Sequence, residues 1–204
     1  KDYIQSVIFE FESVLLSENN EELLNLIDLQ SFIDFFIINE LSKNPDGYRL
    51  STFLNKDFNG KLKMGPIWDF NLAYANVDYC DGANPVGWIY NYNSICPDDI
   101  WQVPFWWEDL MQKEVFKTAL KNRWFLLRSS SLSNSTILNT IDSYTENLKS
   151  NKITDQNFYL WPVLGQYIWP NFFVGSTHEE EIEFLKSWID DRLDWMDMEI
   201  NSLN

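Results

Sequence analysis

The segment at residues 29–43, LQSFIDFFIINELSK, constrains the fold more than any other part of the chain. Its apolar residues, among them Phe32, Phe36 and Ile37, occupy nearly every side of a helix and leave little polar face. Asp28 stands just before this segment and is a residue type that caps helix N-termini. Because a helix that is apolar all round must be buried, the rest of the chain is expected to surround it.

Apolar residues at helical spacing also mark four further segments. They are residues 2–17, 106–130 and 136–149, and a last helix that begins after Thr177, where Thr177 and Glu180 form a capping box. With 204 residues and 45% hydrophobic content, the chain is long enough to bury a sizeable core.

One pair of segments has a period of two instead, which is typical of strands. These are residues 49–56 and 61–67, and the Asn59-Gly60 pair between them favours a tight hairpin turn. The sequence therefore predicts a mainly α-helical single domain over residues 1–204, with one small antiparallel β-hairpin near residues 50–66.

The formal net charge of −16 limits the classes of partner. A nucleic-acid backbone or an anionic lipid surface would repel such a chain, so a basic partner or a cationic cofactor fits better. No apolar run reaches the roughly 18 residues that a membrane span needs, so we expect no transmembrane segment.

Two cysteines, Cys80 and Cys96, lie 16 positions apart in a stretch rich in turn-forming residues. Without a nearby histidine they make a poor zinc site. The residues alone leave two possibilities open, which are a disulfide and a pair of unreactive thiols, since only an oxidising compartment maintains a disulfide.

An aspartate stands at each end of the predicted hairpin, Asp46 before it and Asp69 after it. Phosphoryl transfer in protein kinases uses one aspartate near the nucleophile and a second on Mg²⁺, and a hairpin would fix the separation of the two. The same spacing also fits two solvated turn residues.

The residues around the hairpin carry a specific pattern. Glu40 in the apolar helix is followed by an N-x-D loop at Asn44 and Asp46, by a Gly-Lys pair at 60–61, and by P-x-W-D-F at 66–70. Over residues 33–74 this order resembles the core of the spore coat protein H (CotH) kinase family. The aromatic segment at 161–171, WPVLGQYIWPN, is similar to one branch of that family, so the resemblance covers most of the chain.

The resemblance implies a protein-kinase-like C-terminal lobe of a bacterial, extracytoplasmic protein, secreted or associated with the cell envelope. It implies transfer of phosphate from ATP to hydroxyl groups of a protein substrate, with a basic substrate favoured by the charge. Asp46 would be the catalytic base and Asp69 a Mg²⁺ ligand, with Ser51 as a weaker metal ligand. The extracytoplasmic setting favours a disulfide between Cys80 and Cys96.

Two positions depart from the family pattern: Ser51 stands where members often have asparagine, and Asn71 where the last aspartate of W-D-F-D is usual. Both changes weaken the expected hold on a metal. The residues before Asp46 read as helices, with neither a glycine-rich strand pair nor a lysine on a strand. We therefore expect the nucleotide-covering lobe to lie outside this chain, and Mg²⁺ and ATP to bind only in the full-length protein.

The aromatic residues suggest an alternative function. Ten Trp and nine Tyr are present, and several fall in predicted loops or at helix starts: Trp88, Tyr90, Tyr92, Trp101, Trp106, Trp107, Trp161 and Trp169. An exposed, coplanar set would suit an extracytoplasmic carbohydrate- or protein-binding module with a degenerate kinase-like fold. The favoured interpretation is that these rings fill a core beneath the loops.

Two other ionisable residues have simple expected roles. Glu40 lies in the apolar helix and needs a partner there, for which we expect backbone amides or Arg49. His178 is expected to be a surface residue in the first turn of the last helix.

Overall fold

The computed structural model describes residues 1–203, which form a mainly α-helical protein with one two-stranded sheet. The nine α-helices of this described part are α1 Asp2–Leu15, α2 Asn20–Leu26, α3 Leu29–Ser42, α4 Tyr92–Ile95, α5 Trp106–Gln112, α6 Glu114–Arg128, α7 Asn134–Ser150, α8 Ile153–Leu160 and α9 His178–Ser202, and a short 3-10 helix, Ile89–Asn91, precedes α4. The prediction of a mainly α fold with a small antiparallel hairpin is confirmed. Among residues 1–203, no helix combines the length and apolar character that crossing a membrane requires.

Helix α3 lies at the centre of the protein, as its composition predicts. The Asp28 side chain accepts a hydrogen bond from the Ser31 amide at 3.1 Å and caps the helix. Phe32 and Phe36 are fully buried, and the ring of Phe36 packs 5.8 Å, centre to centre, from that of Phe116 on α6. Burial of each such ring stabilises the fold by about 1.5–3 kcal/mol.

The hairpin is shorter than predicted. Strand β1, Leu54–Lys56, pairs antiparallel with β2, Leu62–Met64, and the connection between them is residues 57–61, which corrects the expected two-residue turn at Asn59-Gly60. The Gly60 amide bonds the Asp57 carbonyl at 2.9 Å, so the chain reverses over four residues with Asn59 in the left-handed region at φ 55°.

Two hydrogen bonds donated by backbone amides attach the hairpin to the start of α3. The Asp28 amide donates to the Leu62 carbonyl at 2.8 Å, and the Met64 amide donates to Ser31 Oγ at 3.1 Å. The hairpin is therefore fixed to one end of α3, and the chain that leaves the other end of α3 leads into it.

The segment at 106–130 forms two helices, not the single predicted one. Lys113 separates α5 from α6 with an extended backbone, φ −87° and ψ 124°. Its ammonium donates to the Ser17 carbonyl at 2.8 Å, just beyond the end of α1. The break between α5 and α6 is therefore tied to the chain just after α1, which apolar spacing alone cannot predict.

Helix α9 returns the end of the chain to α3. Thr177 accepts a hydrogen bond from the Glu180 amide at 3.2 Å, which confirms the predicted cap, whereas the Glu180 carboxylate bonds the Ser176 amide and not that of Thr177. His178 is half-buried against Phe158, not fully exposed. One cluster of buried side chains extends from α1 to α9; that residues 1–204 form a single domain stays a prediction.

Candidate active site

The loop after α3 begins the candidate site. Lys43 ends the helix in the left-handed region at φ 47°, and the next residue, Asn44, is fully buried. The Asn44 Oδ1 accepts from the Asp46 amide at 3.2 Å, and its Nδ2 lies 3.5 Å from the carbonyl oxygen of Asp69. Asn44 therefore joins the two aspartate segments, a function that the sequence pattern alone did not assign to it.

Asp69 has the properties that a metal ligand requires. It is exposed, and within residues 1–203 its carboxylate forms no ion pair. Its Oδ2 lies 3.5 Å from the hydroxyl of Ser51, which is only 7% exposed. Its backbone is in the left-handed region at φ 62°, which aspartate tolerates better than most residues. The structure therefore brings Asp69 and Ser51 together at one surface.

Asp46 lies in the same loop and is held by Arg49. The guanidinium donates from Nη2 to Asp46 Oδ1 at 2.8 Å and from Nε to the Pro45 carbonyl at 2.8 Å. The Asp46 side chain is 19% exposed. It is thus partly reachable by solvent while one of its oxygens is fixed.

Burial raises the pKa of Asp46 above its usual value. The positive charge of Arg49 opposes this rise, and the negative charges of Asp69 and Asp99 add to it. Ser51 contacts both segments, since its amide donates to the Asp46 carbonyl at 2.9 Å and its hydroxyl lies 3.5 Å from Asp69 Oδ2. A carboxylate with a raised pKa is a better proton acceptor, which suits a general base.

Arg49 has a second acidic partner that the sequence reasoning missed. Its Nη1 lies 3.1 Å from Asp99 Oδ2, and its guanidinium carbon lies 4.2 Å from the centre of the Tyr92 ring. The Tyr92 hydroxyl donates to the same Asp99 oxygen at 2.8 Å. Since Asp99 lies far along the chain from Arg49, no local sequence pattern could reveal this contact.

Close packing fixes the loop against α3. A Cβ atom at Gly47 would lie 1.9 Å from Asn39 Oδ1, so no other residue fits there without displacing Asn39. Asn39 is fully buried, and its Nδ2 donates to the Phe35 carbonyl at 2.9 Å. The position of Asp46 therefore depends on the last turns of α3.

Glu40 is fully buried, and its partners differ in part from those predicted. Its carboxylate accepts from the amides of Ile89 at 2.8 Å and Tyr90 at 2.9 Å, as expected, and from the Tyr48 hydroxyl at 3.1 Å. Its cationic partner is Arg192 of α9, at 3.2 Å, and not Arg49, which is engaged by Asp46. Burial raises the pKa of Glu40, and the charge of Arg192 opposes the rise.

A buried lysine holds the irregular segment that follows the site. Lys43 is fully buried, and its ammonium donates to Asp81 Oδ2 at 3.1 Å and to the carbonyls of Asn84 and Val86 at 2.8 and 2.7 Å. In the structure Cys80 and Cys96 form a disulfide with Cα atoms 5.5 Å apart, in agreement with the expected pairing. The segment is thus anchored at Cys80 and again at Asp81.

The donor set suits a hard cation. Asp46, Asp69 and Ser51 offer oxygen ligands only, which Mg²⁺ prefers, and Mg²⁺ usually keeps several waters. No group of three or more His, Cys, Asp or Glu side chains is arranged to hold a metal within residues 1–203. The residues therefore fit a water-rich Mg²⁺ site completed by phosphate oxygens, and do not fit an all-protein cage.

Most of the aromatic residues considered for a binding platform lie in the core. Tyr92 and Trp107 are fully buried, and Trp88, Tyr90 and Trp106 are partly buried. The exposed ones are Trp101, Trp161 and Trp169 at 58, 61 and 71%. The favoured interpretation, a core beneath the loops, therefore applies to five of the eight.

Comparison with protein families identifies the family of the chain. The model of the family described as CotH kinase protein matches residues 1–196. A search of curated proteins and a search of solved structures each found no match. The family match gives no support to a binding module as the main function of the chain. Because the match spans nearly the whole sequence, the chain belongs to the CotH kinase family.

Proposed function

We propose that this chain is the helical, C-terminal kinase-like lobe of an atypical protein kinase that transfers phosphate from ATP to protein hydroxyls outside the cytoplasm. Asp46 is the base that accepts the hydroxyl proton, and Asp69 binds Mg²⁺, with Ser51 as a weak additional ligand. The observation that carries the proposal is the Asp69 carboxylate, which is exposed and forms no ion pair within residues 1–203, beside Ser51, whose amide donates to the Asp46 carbonyl at 2.9 Å.

The chain's own residues would contribute position and charge. Arg49 holds one Asp46 oxygen, which leaves the other for a substrate hydroxyl, and Asn44 fixes the spacing of the Asp46 and Asp69 segments. When bound, Mg²⁺ would neutralise charge on the phosphates. Residues 1–203 contain a single sheet, the short hairpin, and so have no strand-based lobe to cover a nucleotide. This supports the further proposal that the helical lobe does not catalyse phosphate transfer by itself.

The test is Mg²⁺-dependent ATP binding by the full-length protein, by calorimetry, for the wild type and two variants. Asp69→Ala should abolish Mg²⁺-dependent binding, whereas Asp57→Ala, which removes an exposed acid in the hairpin connection, should leave it intact. Equal binding by both variants would refute the assignment of Asp69. Phosphate transfer to a protein substrate should be lost in Asp46→Asn, while ATP binding is retained.

A further inference from the structure

A cavity of about 450 Å³ lies between residues 78–85 and helix α9. Its volume falls within the range of roughly 300–1,000 Å³ that is common for ligand sites. Asp46, Asp69 and Ser51 do not line it. The cavity is therefore a separate feature from the proposed active site.

Aromatic rings form much of its wall. Phe172, Phe184 and Trp188 line the cavity, with the ring centres of the two phenylalanines 6.3 Å apart. The Trp188 indole N–H donates to the Ala83 carbonyl at 2.7 Å, which fixes the orientation of that ring. Aromatic faces attract cations, and planar guanidinium groups also stack on them.

Three aspartates, Asp78, Asp81 and Asp191, also line the cavity, and no lysine, arginine or histidine among residues 1–203 does. Asp81 is compensated by Lys43, but Asp78 and Asp191 form no ion pair in the part of the chain that the structure describes. Asp78 accepts a hydrogen bond from the neutral hydroxyl of Tyr167, which does not cancel its charge. Two uncompensated carboxylates therefore lie beside three aromatic rings.

The part of the wall formed by residues 78–85 has no regular secondary structure, but buried side chains hold its backbone in place. Lys43 donates to the Asn84 and Val86 carbonyls, and Arg192 Nη1 donates to the Pro85 carbonyl at 2.8 Å. Both cations are fully buried. A wall held in this way loses little conformational entropy when a ligand binds.

We propose that this cavity binds an arginine side chain of a polypeptide partner. A guanidinium can stack on the ring of Phe172, which is 55% exposed, and donate to Asp78 and Asp191, whereas an ammonium offers a point charge without a flat face. The net charge of −16 draws a basic partner toward the protein. The proposal does not require phosphoryl transfer, so a failure of the function proposed above would not refute it.

The test uses the whole chain and three matched probes: N-acetyl-arginine methylamide, its neutral isostere N-acetyl-citrulline methylamide, and N-acetyl-lysine methylamide with a free side-chain ammonium. Binding is followed by NMR through the indole N–H of Trp188. The arginine probe should bind saturably in the millimolar range or tighter, and the citrulline and lysine analogues should bind several-fold more weakly. Asp191→Asn should weaken arginine binding roughly threefold to fivefold, and Asp194→Asn, an exposed acid on the same helix, should not.

Several results would overturn the proposal. They are no saturable binding of the arginine probe, equal binding of the arginine and citrulline probes, binding of the lysine analogue as tight as that of arginine, or equal effects of the Asp191 and Asp194 substitutions. Weaker arginine binding in Asp191→Asn but not in Asp194→Asn, with unchanged Mg²⁺-dependent ATP binding by the full-length protein, would support it.

Discussion

Replacement of Arg192 by methionine should destabilise the protein strongly. The Arg192 side chain is fully buried and donates to the Glu40 carboxylate and to the carbonyls of Glu40, Pro85 and Gly87. Loss of one member of a buried ion pair costs about 3–5 kcal/mol. Glu40 would keep its bonds from Ile89, Tyr90 and Tyr48, but the carbonyls would lose their donors, so we expect a loss of about 4 kcal/mol.

Urea unfolding followed by tryptophan fluorescence measures this loss, and a melting temperature lower by roughly 8–16 °C should accompany it. Arg123→Met is the matched control. Arg123 pairs with Asp34 at 2.7 Å, but the two side chains are 30 and 42% exposed. Its replacement should therefore cost less than about 1 kcal/mol.

The loss in Arg192→Met should also depend on pH. Burial raises the pKa of Glu40, and removal of Arg192, whose charge lowers that pKa, should raise it further. An acid with a raised pKa in the folded state destabilises that state when it ionises. The deficit should therefore be largest above the raised pKa and shrink as the pH falls through it. A deficit that is independent of pH and no larger than that of Arg123→Met would refute the reasoning.

Two further predictions concern the loop and the disulfide. Gly47→Ala should cost about 1–3 kcal/mol, because the new Cβ meets Asn39 Oδ1, and the double variant with Asn39→Ala should recover part of that loss in the same unfolding assay. Cys96→Ser should cost about 3 kcal/mol, since the disulfide closes a loop with a sequence separation of 16, and the variant should be insensitive to reductant. A wild-type unfolding midpoint that reductant does not change would contradict the second prediction.

Sequence patterns predicted those parts of the fold that depend on neighbouring residues. The buried helix α3, its cap at Asp28, the cap at Thr177 and the position of the hairpin all follow from local periodicity or local hydrogen bonding. Helices α2, α4 and α8 were missed, because seven, four and eight residues are too few for a clear apolar period.

The site was only partly predictable for the same reason. Ser51 contacts Asp46 through its amide and Asp69 through its hydroxyl, and the chemical roles of the three residues stay predictions. The apolar surroundings of Glu40 predicted that it needs a partner. That partner, Arg192, lies 152 positions away in the sequence, so no local pattern identifies it. Lys43 illustrates a different limit, because a lysine next to a helix end is expected at the surface, yet here it is fully buried.

The separation of 152 positions between Glu40 and Arg192 has a consequence for biosynthesis. At usual translation rates, Arg192 leaves the ribosome roughly 8–30 s after Glu40. During that interval the most apolar helix of the protein has been made, while the α9 surface that covers part of it has not. A nascent chain of this kind exposes apolar surface until α9 has been made, so it should depend on chaperones more than a protein whose core is built from adjacent segments.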